Sequence, residues 1–521
     1  MKNHMRKRWS AVMLTVLLAV TSLFTIVPQE QAKAAGALTV AQAIQSQNGG
    51  TITVTGIIVG HASGSQTANF KSPFANDFNV LLADSSSETN TSKLLDVQIT
   101  SSYRSQFGLQ SNPSLIGKTI TVTGTAGTYN NFAGVKNPTS MTLGGDSTTP
   151  TPNPDPGTGL PGGSGKKVLF DNTHAQTAGA ADWVIDGGFS DFASGLRAAG
   201  FTVESLERSI PYTFGEQAIT YDKLKNYDVF VLAEPNVPFK ASEQAAMLQY
   251  VKAGGSIFFI GDHYNADRNK NRWDGSEAMN GYRRGAYSNP ALGMSSEEAN
   301  SPAMQGVTSS DWLGTNFGIR FRYNALGDVN ATDIVAPSQS FGITQGVSSV
   351  AMHAGSTLAI IDPNKAKGIV YIPTGVSKWG NAVDQGVYNG GGRAEGPYAA
   401  ISKLGAGKAA FIGDSSPVED ASPKYKREEN GQTKKTYDGF KEVDDATLLV
   451  NTVRWLAQKE SYTDFTQVNG LTLDSKTSLL SIENPSTSTE PQQEPWAAPA
   501  AGYKWYDPTT FKSGSYGYVA S

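Results

Sequence analysis

The chain has 521 residues, 39% hydrophobic and 17% charged, with 55 Gly, 25 Pro and no Cys. That length exceeds one ordinary domain, so two or more folded units are expected. The absent cysteines exclude a disulfide framework, a thiolate zinc site, an iron-sulfur cluster and a thiol nucleophile, so chemistry must come from oxygen and imidazole groups.

The chain opens as a secretory signal. Lys2, Arg6, Lys7 and Arg8 precede an apolar run over 11–27, and Ala32-Lys33-Ala34 has the small-x-small form that signal peptidase cuts. Loss of residues 1–34 removes five basic side chains and one acidic one. The remainder carries 37 basic against 45 acidic residues, and the formal charge moves from -4 to -8. The expected product is secreted, with no stable membrane insertion after cleavage, and its bulk charge does not draw it to nucleic acid.

Residues 36–143 read as a small all-β domain after one short helix, with β-rich runs at 51–59, 78–83, 95–100 and 118–124. Short strands in about a hundred residues suit a small barrel. The succession TVAQAI, GGTITVTGIIVGH, FNVLLADSSSET, LLDVQIT, NPSLIGKTITVTGT and GVKNPTSMTL resembles the N-terminal OB-fold domain of YhcR-type secreted bacterial nucleases. The resemblance implies an OB-fold barrel that binds nucleic acid. Phe74, Tyr129 and Phe132 are candidate stacking rings and Lys136 a candidate phosphate contact. The same rings also suit ordinary packing, since five basic residues face four acidic ones here.

Residues 144–165 hold five Pro and seven Gly and read as an exposed linker. From 166 to 460, strands and helices alternate: strands at 167–172, 201–206, 228–233 and 256–261, with helices at 182–199, 221–224 and 242–253 between them. Further strands follow at 357–361, 368–372 and 409–413, and a helix closes the domain at 444–459. VLF, VFVLA and SIFFI are runs of strands buried on both faces, so the fold class is α/β, a doubly wound, mainly parallel sheet of flavodoxin-like type. VLFDNTH, KNYDVFVLAEP, YVKAGGSIFFIGDH and GAGKAAFIGDSSPVED resemble the class I glutamine amidotransferase-like superfamily in its ThuA-like branches. That superfamily's amidotransferases place a cysteine at the turn after a central strand, where this chain reads Gly261-Asp262-His263, so thiol-based glutamine hydrolysis is excluded. Residues 461–521 form a polar, aromatic-rich tail that either docks on the body or serves as a surface-binding appendage.

Ligands of open α/β sheets bind beyond the carboxyl ends of the strands. Those ends carry Asp171 and His174, Glu234, Asp262 and His263, and Asp414. Asp171, His174, Asp262 and His263 together suit a divalent ion (Mg, Mn, Zn or Ca), with Asp262, His263 and Asp414 acting on a bound water. The competing reading is that these aspartates cap turns. Arg268 and Arg272 are candidate phosphate forks. The segment from Asp267 to Gly275 offers oxygens on alternate residues as calcium loops do, without the EF-hand glycine and glutamate, and it also reads as a polar lid. A Ser415, His174, Asp171 triad is a further arrangement. The expected function is a nucleic-acid-binding protein with metal-dependent hydrolase activity on nucleic acids or phosphoesters. Two alternatives stand beside it: a non-catalytic binder of extracellular DNA or envelope polymer on a degenerate amidotransferase-like scaffold, and a carbohydrate-directed hydrolase.

Overall fold

The computed structural model describes residues 37–143, 159–382, 387–490 and 495–520, so the expected signal segment and most of the expected linker lie outside the described residues. No helix among them is long and apolar enough to cross a membrane.

The N-terminal unit begins with the helix Val40–Gln45, capped by the Thr39 side chain on the Gln42 N–H. Six strands follow: β1 (Thr51–Gly64), β2 (Thr67–Asn69), β3 (Asn79–Ala83), β4 (Leu95–Gln98), β5 (Thr119–Ala126) and β6 (Gly134–Leu143). They run in the order β2-β1-β3-β4-β6-β5, and β1 pairs again with β5, closing a five-stranded barrel with β2 as an extension. The barrel fits an OB-like fold. Alternate residues point inward, Val54 and Ile58 from β1, Val80 and Leu82 from β3, Leu95 and Val97 from β4, Ile120 and Val122 from β5. Strand β1 serves both β3 and β5 because its register shifts between Ile58 and Gly60. Gly60 fits there because a Cβ would lie 2.5 Å from the Asn69 carbonyl oxygen.

The larger unit contains β7 (Lys167–Asn172), β8 (Thr202–Glu207), β9 (Val229–Ala233) and β10 (Ser256–Ile260). Two short ribbons pair β11 (Ile319–Phe321) with β15 (Leu358–Ile360) and β12 (Val329–Ala331) with β14 (Val350–Met352). The remaining strands are β13 (Asp333–Ile334), β16 (Ala366–Tyr371), β17 (Ala399–Leu404) and β18 (Gly407–Ile412). The main sheet has the order β13-β16-β17-β18-β10-β9-β7-β8. Its half from β18 to β8 is parallel, whereas β17, β16 and β13 each run antiparallel to their neighbours. The mainly parallel expectation fails in that second half for a local reason. Leu404 pairs with Gly407 across a two-residue turn in which Gly405 has φ +58°, and a hairpin that tight admits only antiparallel strands.

Both faces of this sheet are covered. In β9, Val229, Val231 and Ala233 face the layer with the helices Ser190–Ala198 and Asp445–Leu456, while Phe230 and Leu232 face the layer with Ala241–Lys252 and Trp312–Phe317. The helix expected at 182–199 begins only at Ser190, because 182–189 fold into turns around the buried Asp182, whose carboxylate accepts from Tyr425 N (2.8 Å). Leu160, within the expected linker, joins this core.

The tail lies on the α/β unit with little regular structure. Phe465 enters the core beside Phe341. Asp474 accepts from Lys367 (3.0 Å), the Gly368 N–H (2.7 Å) and Tyr371 (2.8 Å). Glu483 receives both arms of the buried Arg322 (2.8 and 2.7 Å), whose third donor goes to Glu395 (2.7 Å). Trp505 donates to Glu298 (2.8 Å) and the Lys512 N–H to the Glu428 carbonyl (2.9 Å).

Candidate functional sites

On the barrel, two of the expected stacking rings are unavailable. Phe74 is buried in the barrel core, and Phe132 in a small cluster with Val59, Leu81 and Leu94. Tyr129 is half-buried and Lys136 partly covered beside Gly127. The exposed ring is Phe78, 48% accessible, with the Arg104 guanidinium 4.5 Å from its centroid. Arg104 is steadied by a bond from Nε to the Ile99 carbonyl (3.4 Å), and the Ile99 N–H in turn reaches the Phe78 carbonyl (2.8 Å). Tyr129 borders this patch: Gln98 and the charge of Arg104 both favour its ionised form, against burial. Asn137, next to Lys136, donates its N–H to Gln98 Oε1 (2.9 Å), bringing that end of β6 to the same place. Burial raises the Tyr129 phenol, reinforced by the Asp96 carboxylate, and burial likewise lifts Asp96 to about 7 despite a bond from Asn130. Phe78 escaped the sequence reading because it looks like the first residue of the apolar run FNVLLA, yet it precedes β3 and points outward.

At the end of β7, Asp171 and His174 form a closed buried relay. Asp171 Oδ1 accepts from Thr173 N (3.0 Å) and Oγ1 (2.5 Å), and Oδ2 from His174 Nδ1 (2.9 Å) and Gln176 (2.9 Å). His174 Nε2 lies 3.1 Å from Glu243 Oε2, and that carboxylate also accepts from the N–H groups of Lys240, Ala218 and Ile219. Burial alone would push the imidazole down, but Glu243 and Asp171 outweigh it and hold it at about 9. Glu243, which burial would raise, is drawn to about 2 by the His174 charge.

The ends of β9, β10 and β18 form a second cluster. Asp262 accepts from the His263 N–H (2.7 Å) and from Arg268, whose guanidinium also lies 3.8 Å from Glu234 and 4.5 Å from the Trp183 ring. Asp414 accepts from Ser416 N (2.9 Å) and His353 N (2.6 Å). Burial, reinforced by Asp262, raises both Glu234 and Asp414 well above the carboxylate range. Arg268 stays above its ordinary value although burial pulls it down, because Asp262 and Glu234 flank it. His263 uses Nδ1 with the Tyr264 carbonyl (3.1 Å) and Asn265 (3.0 Å), and its ring sits 4.6 Å from that of Trp379.

These positions revise several expectations. Asp171 and His174 have no free ligand atom, and among the described residues no three Asp, Glu or His side chains gather as a metal-holding group. Asp171, His174, Asp262 and His263 therefore do not fit a shared divalent ion. The triad is not formed, since Ser415 donates to Glu419 (2.6 Å) and both His174 nitrogens face carboxylates. Neither phosphate fork is open: Arg268 holds Asp262, and Arg272 Nη1 holds both oxygens of Glu298 (3.0 and 3.1 Å). Glu243, Glu419 and His353 were missed. Of these, Glu419 had a signal, standing five residues after Asp414 in GDSSPVED.

Residues 38–144 match a family described as a domain of unknown function, DUF6359. Over 148 residues, 28% of this chain, the sequence is 40% identical to Endonuclease YhcR of Bacillus subtilis (strain 168). The match spans 12% of that protein's length. Among solved structures, the mmIFT52 N-terminal domain aligns with 56% of this chain and 97% of its own at 14% identity and a TM-score of 0.34. A putative ThuA-like protein from Bacteroides uniformis aligns with 56% and 90% at 13% identity and a TM-score of 0.29.

Proposed function

We propose that this protein binds nucleic acid outside the cell, holding a strand on the barrel patch of Phe78, Arg104, Gln98 and Tyr129, with Lys136 at its margin. The observation that carries the reading is the exposed Phe78 ring beneath the Arg104 guanidinium. A flat ring beside a fixed cation gives a base a stacking surface and its phosphate a counter-charge. The 40% identity of this region to an endonuclease supports the same reading. The α/β unit serves as a scaffold, its tail bound down on it. Fluorescence anisotropy of the full chain with labelled single-stranded DNA tests this. Binding that weakens with salt and falls on Phe78→Ala and Arg104→Ala is expected; equal affinity of both variants and the parent refutes the patch.

A second reading, hydrolysis at the strand ends, is favoured by His263. It is half-exposed, its ring tilted against that of Trp379 at 4.6 Å, and has Nε2 without a hydrogen-bond partner among the described residues, next to Asp262, which accepts its N–H. On this reading the free Nε2 would take a proton from an attacking water. Activity on nucleic acids or phosphoesters that His263→Ala removes would establish it, and inactivity of the parent protein would end it.

A further inference from the structure

The tail adds a strand-like segment to a hairpin of the α/β unit. Within residues 426–433, Lys426 pairs with Thr433, Arg427 N donates to the Gln432 carbonyl (2.9 Å), and Gly431 turns the chain at φ +73°. Residues 512–514 run antiparallel beside this hairpin, with Lys512 N on the Glu428 carbonyl (2.9 Å) and Lys426 N on that of Gly514 (2.9 Å). Each of the two lysines lies against a glycine of the other segment. A Cβ on Gly514 would meet Lys426 Cδ at 3.0 Å, and one on Gly431 would meet Lys512 Cβ at 3.4 Å. Residues far apart in the sequence thus present their ammonium groups from one small surface.

The charge of this surface runs against that of the chain. The whole sequence has 42 basic and 46 acidic residues, but 422–435 holds five basic against two acidic, and Lys512 adds a sixth cation. Lys426, Lys435 and Lys512 are exposed, and among the described residues none of their ammonium groups has a carboxylate or hydrogen-bond partner. The carboxylates around them are engaged elsewhere. Glu428 is buried and accepts from Gly179 N (2.9 Å), Glu429 accepts from Ala500 N (2.7 Å), and Asp186 holds Lys424. Gathered ammonium groups without partners repel one another, and their summed field draws a run of negative charge. Tyrosines continue the surface: the rings of Tyr425 and Tyr516 are half-buried with centroids 5.3 Å apart, and Tyr518 is 37% exposed.

We propose that this face of hairpin and tail is a second contact for single-stranded nucleic acid, with Lys426, Lys435 and Lys512 meeting its phosphates and the tyrosines beside them offering ring surface to its bases. The proposal rests on the barrel reading for the class of ligand and not for any residue. It gives the α/β scaffold a part in holding the strand, and it gives the end of the tail a task, since Lys512 reaches the surface only when 512–514 are docked.

The test measures anisotropy of labelled single-stranded DNA with the full chain across a salt series. Lys426→Gln and Lys512→Gln together are expected to weaken binding on the order of tenfold at about 0.1 M salt. The slope of log affinity against log salt should become shallower by about 1.4, because each phosphate contact on a single strand contributes about 0.7. Lys435→Gln alone should shift the slope by about half as much. Lys252→Gln with Lys476→Gln removes the same charge from exposed positions elsewhere and should change neither quantity. Inorganic polyphosphate with as many phosphates as the DNA should compete less well than unlabelled DNA, since it has no bases. Parental affinity in the Lys426 and Lys512 variant, an equal loss in the Lys252 and Lys476 control, or no binding by the parent overturns the proposal. Polyphosphate that competes as well as DNA overturns the assignment to nucleic acid. If Phe78→Ala binds like the parent while the lysine pair weakens binding, the barrel patch falls and this surface stands; the reverse result removes this surface alone. The substituted side chains are exposed, and an unchanged melting temperature confirms that each variant folds.

Discussion

At the end of β7, Asp171, His174 and Glu243 use every polar side-chain atom they have, whereas at the ends of β9 and β10 Glu234, Asp267 and Asp274 leave oxygens unanswered. Both clusters are buried, both are rich in carboxylates, and both occupy the crest where α/β sheets hold ligands. The satisfied cluster behaves as part of the framework: it ties the 171–176 turn to the N-terminus of the helix Ala241–Lys252. The unsatisfied one lacks an internal account of its own charges. Completeness of hydrogen bonding, rather than residue type or position, is what distinguishes these two strand ends.

The sharpest way to break this contrast is to cut the relay. His174→Ala leaves two carboxylates facing a void, and urea unfolding should show a loss of about 3–5 kcal/mol. A loss below about 1 kcal/mol would mean that the relay is not structural. Next in size is its pH dependence. The His174 pKa is raised to about 9 in the folded state, so its stabilisation is complete below the unfolded value near 6.5 and fades as pH rises through 9. Glu243 is lowered to about 2, so its share is complete above about 4.5 and is lost as pH falls toward 2. The two shifts describe one interaction. The contribution of this pair should therefore be flat between about pH 4.5 and 6.5 with an alkaline decline on the order of 3 kcal/mol, read as the difference between the parent and His174→Ala stability curves.

Smaller effects sharpen the other side. Phe78→Ala is expected to weaken single-stranded DNA binding by about 1–3 kcal/mol, roughly 5- to 150-fold, and to leave stability within about 0.5 kcal/mol because the ring is exposed. Smallest of all, Glu234→Gln should leave the urea-unfolding free energy unchanged or raise it by up to about 1 kcal/mol, since burial already holds this carboxyl well above the carboxylate range and no hydrogen bond is lost with it. A large destabilisation there would show that Glu234 belongs with His174 and not apart from it.

Sequence reading located the parallel strands and the polar residues that end them, since buried parallel strands announce themselves as apolar runs such as VFVLA and SIFFI, but it placed no strand at β11 to β14 or β17. It did not find which polar residues meet. His174 and Glu243 are 69 positions apart, and nothing in either segment marks the other. Phe74 and Phe132 looked no different from Phe78, because period-two patterns end at the strand and exposure beyond it depends on loop course. The β17–β18 hairpin was readable in LGAG but was masked by the alternation before it. The tail was opaque for another reason: its anchors are single side chains on distant backbone, as with Asp474 on Gly368, and such contacts leave no periodicity.

The clamp of Glu483 on Arg322 orders events in time. Arg322 sits at the C-terminal end of β11, inside the α/β unit, but two of its donors are met by a residue 161 positions later. While the chain is being made, everything up to Lys459 can be present and that guanidinium is still half answered. The body of this domain is therefore completed by a residue that emerges well after the strands it steadies.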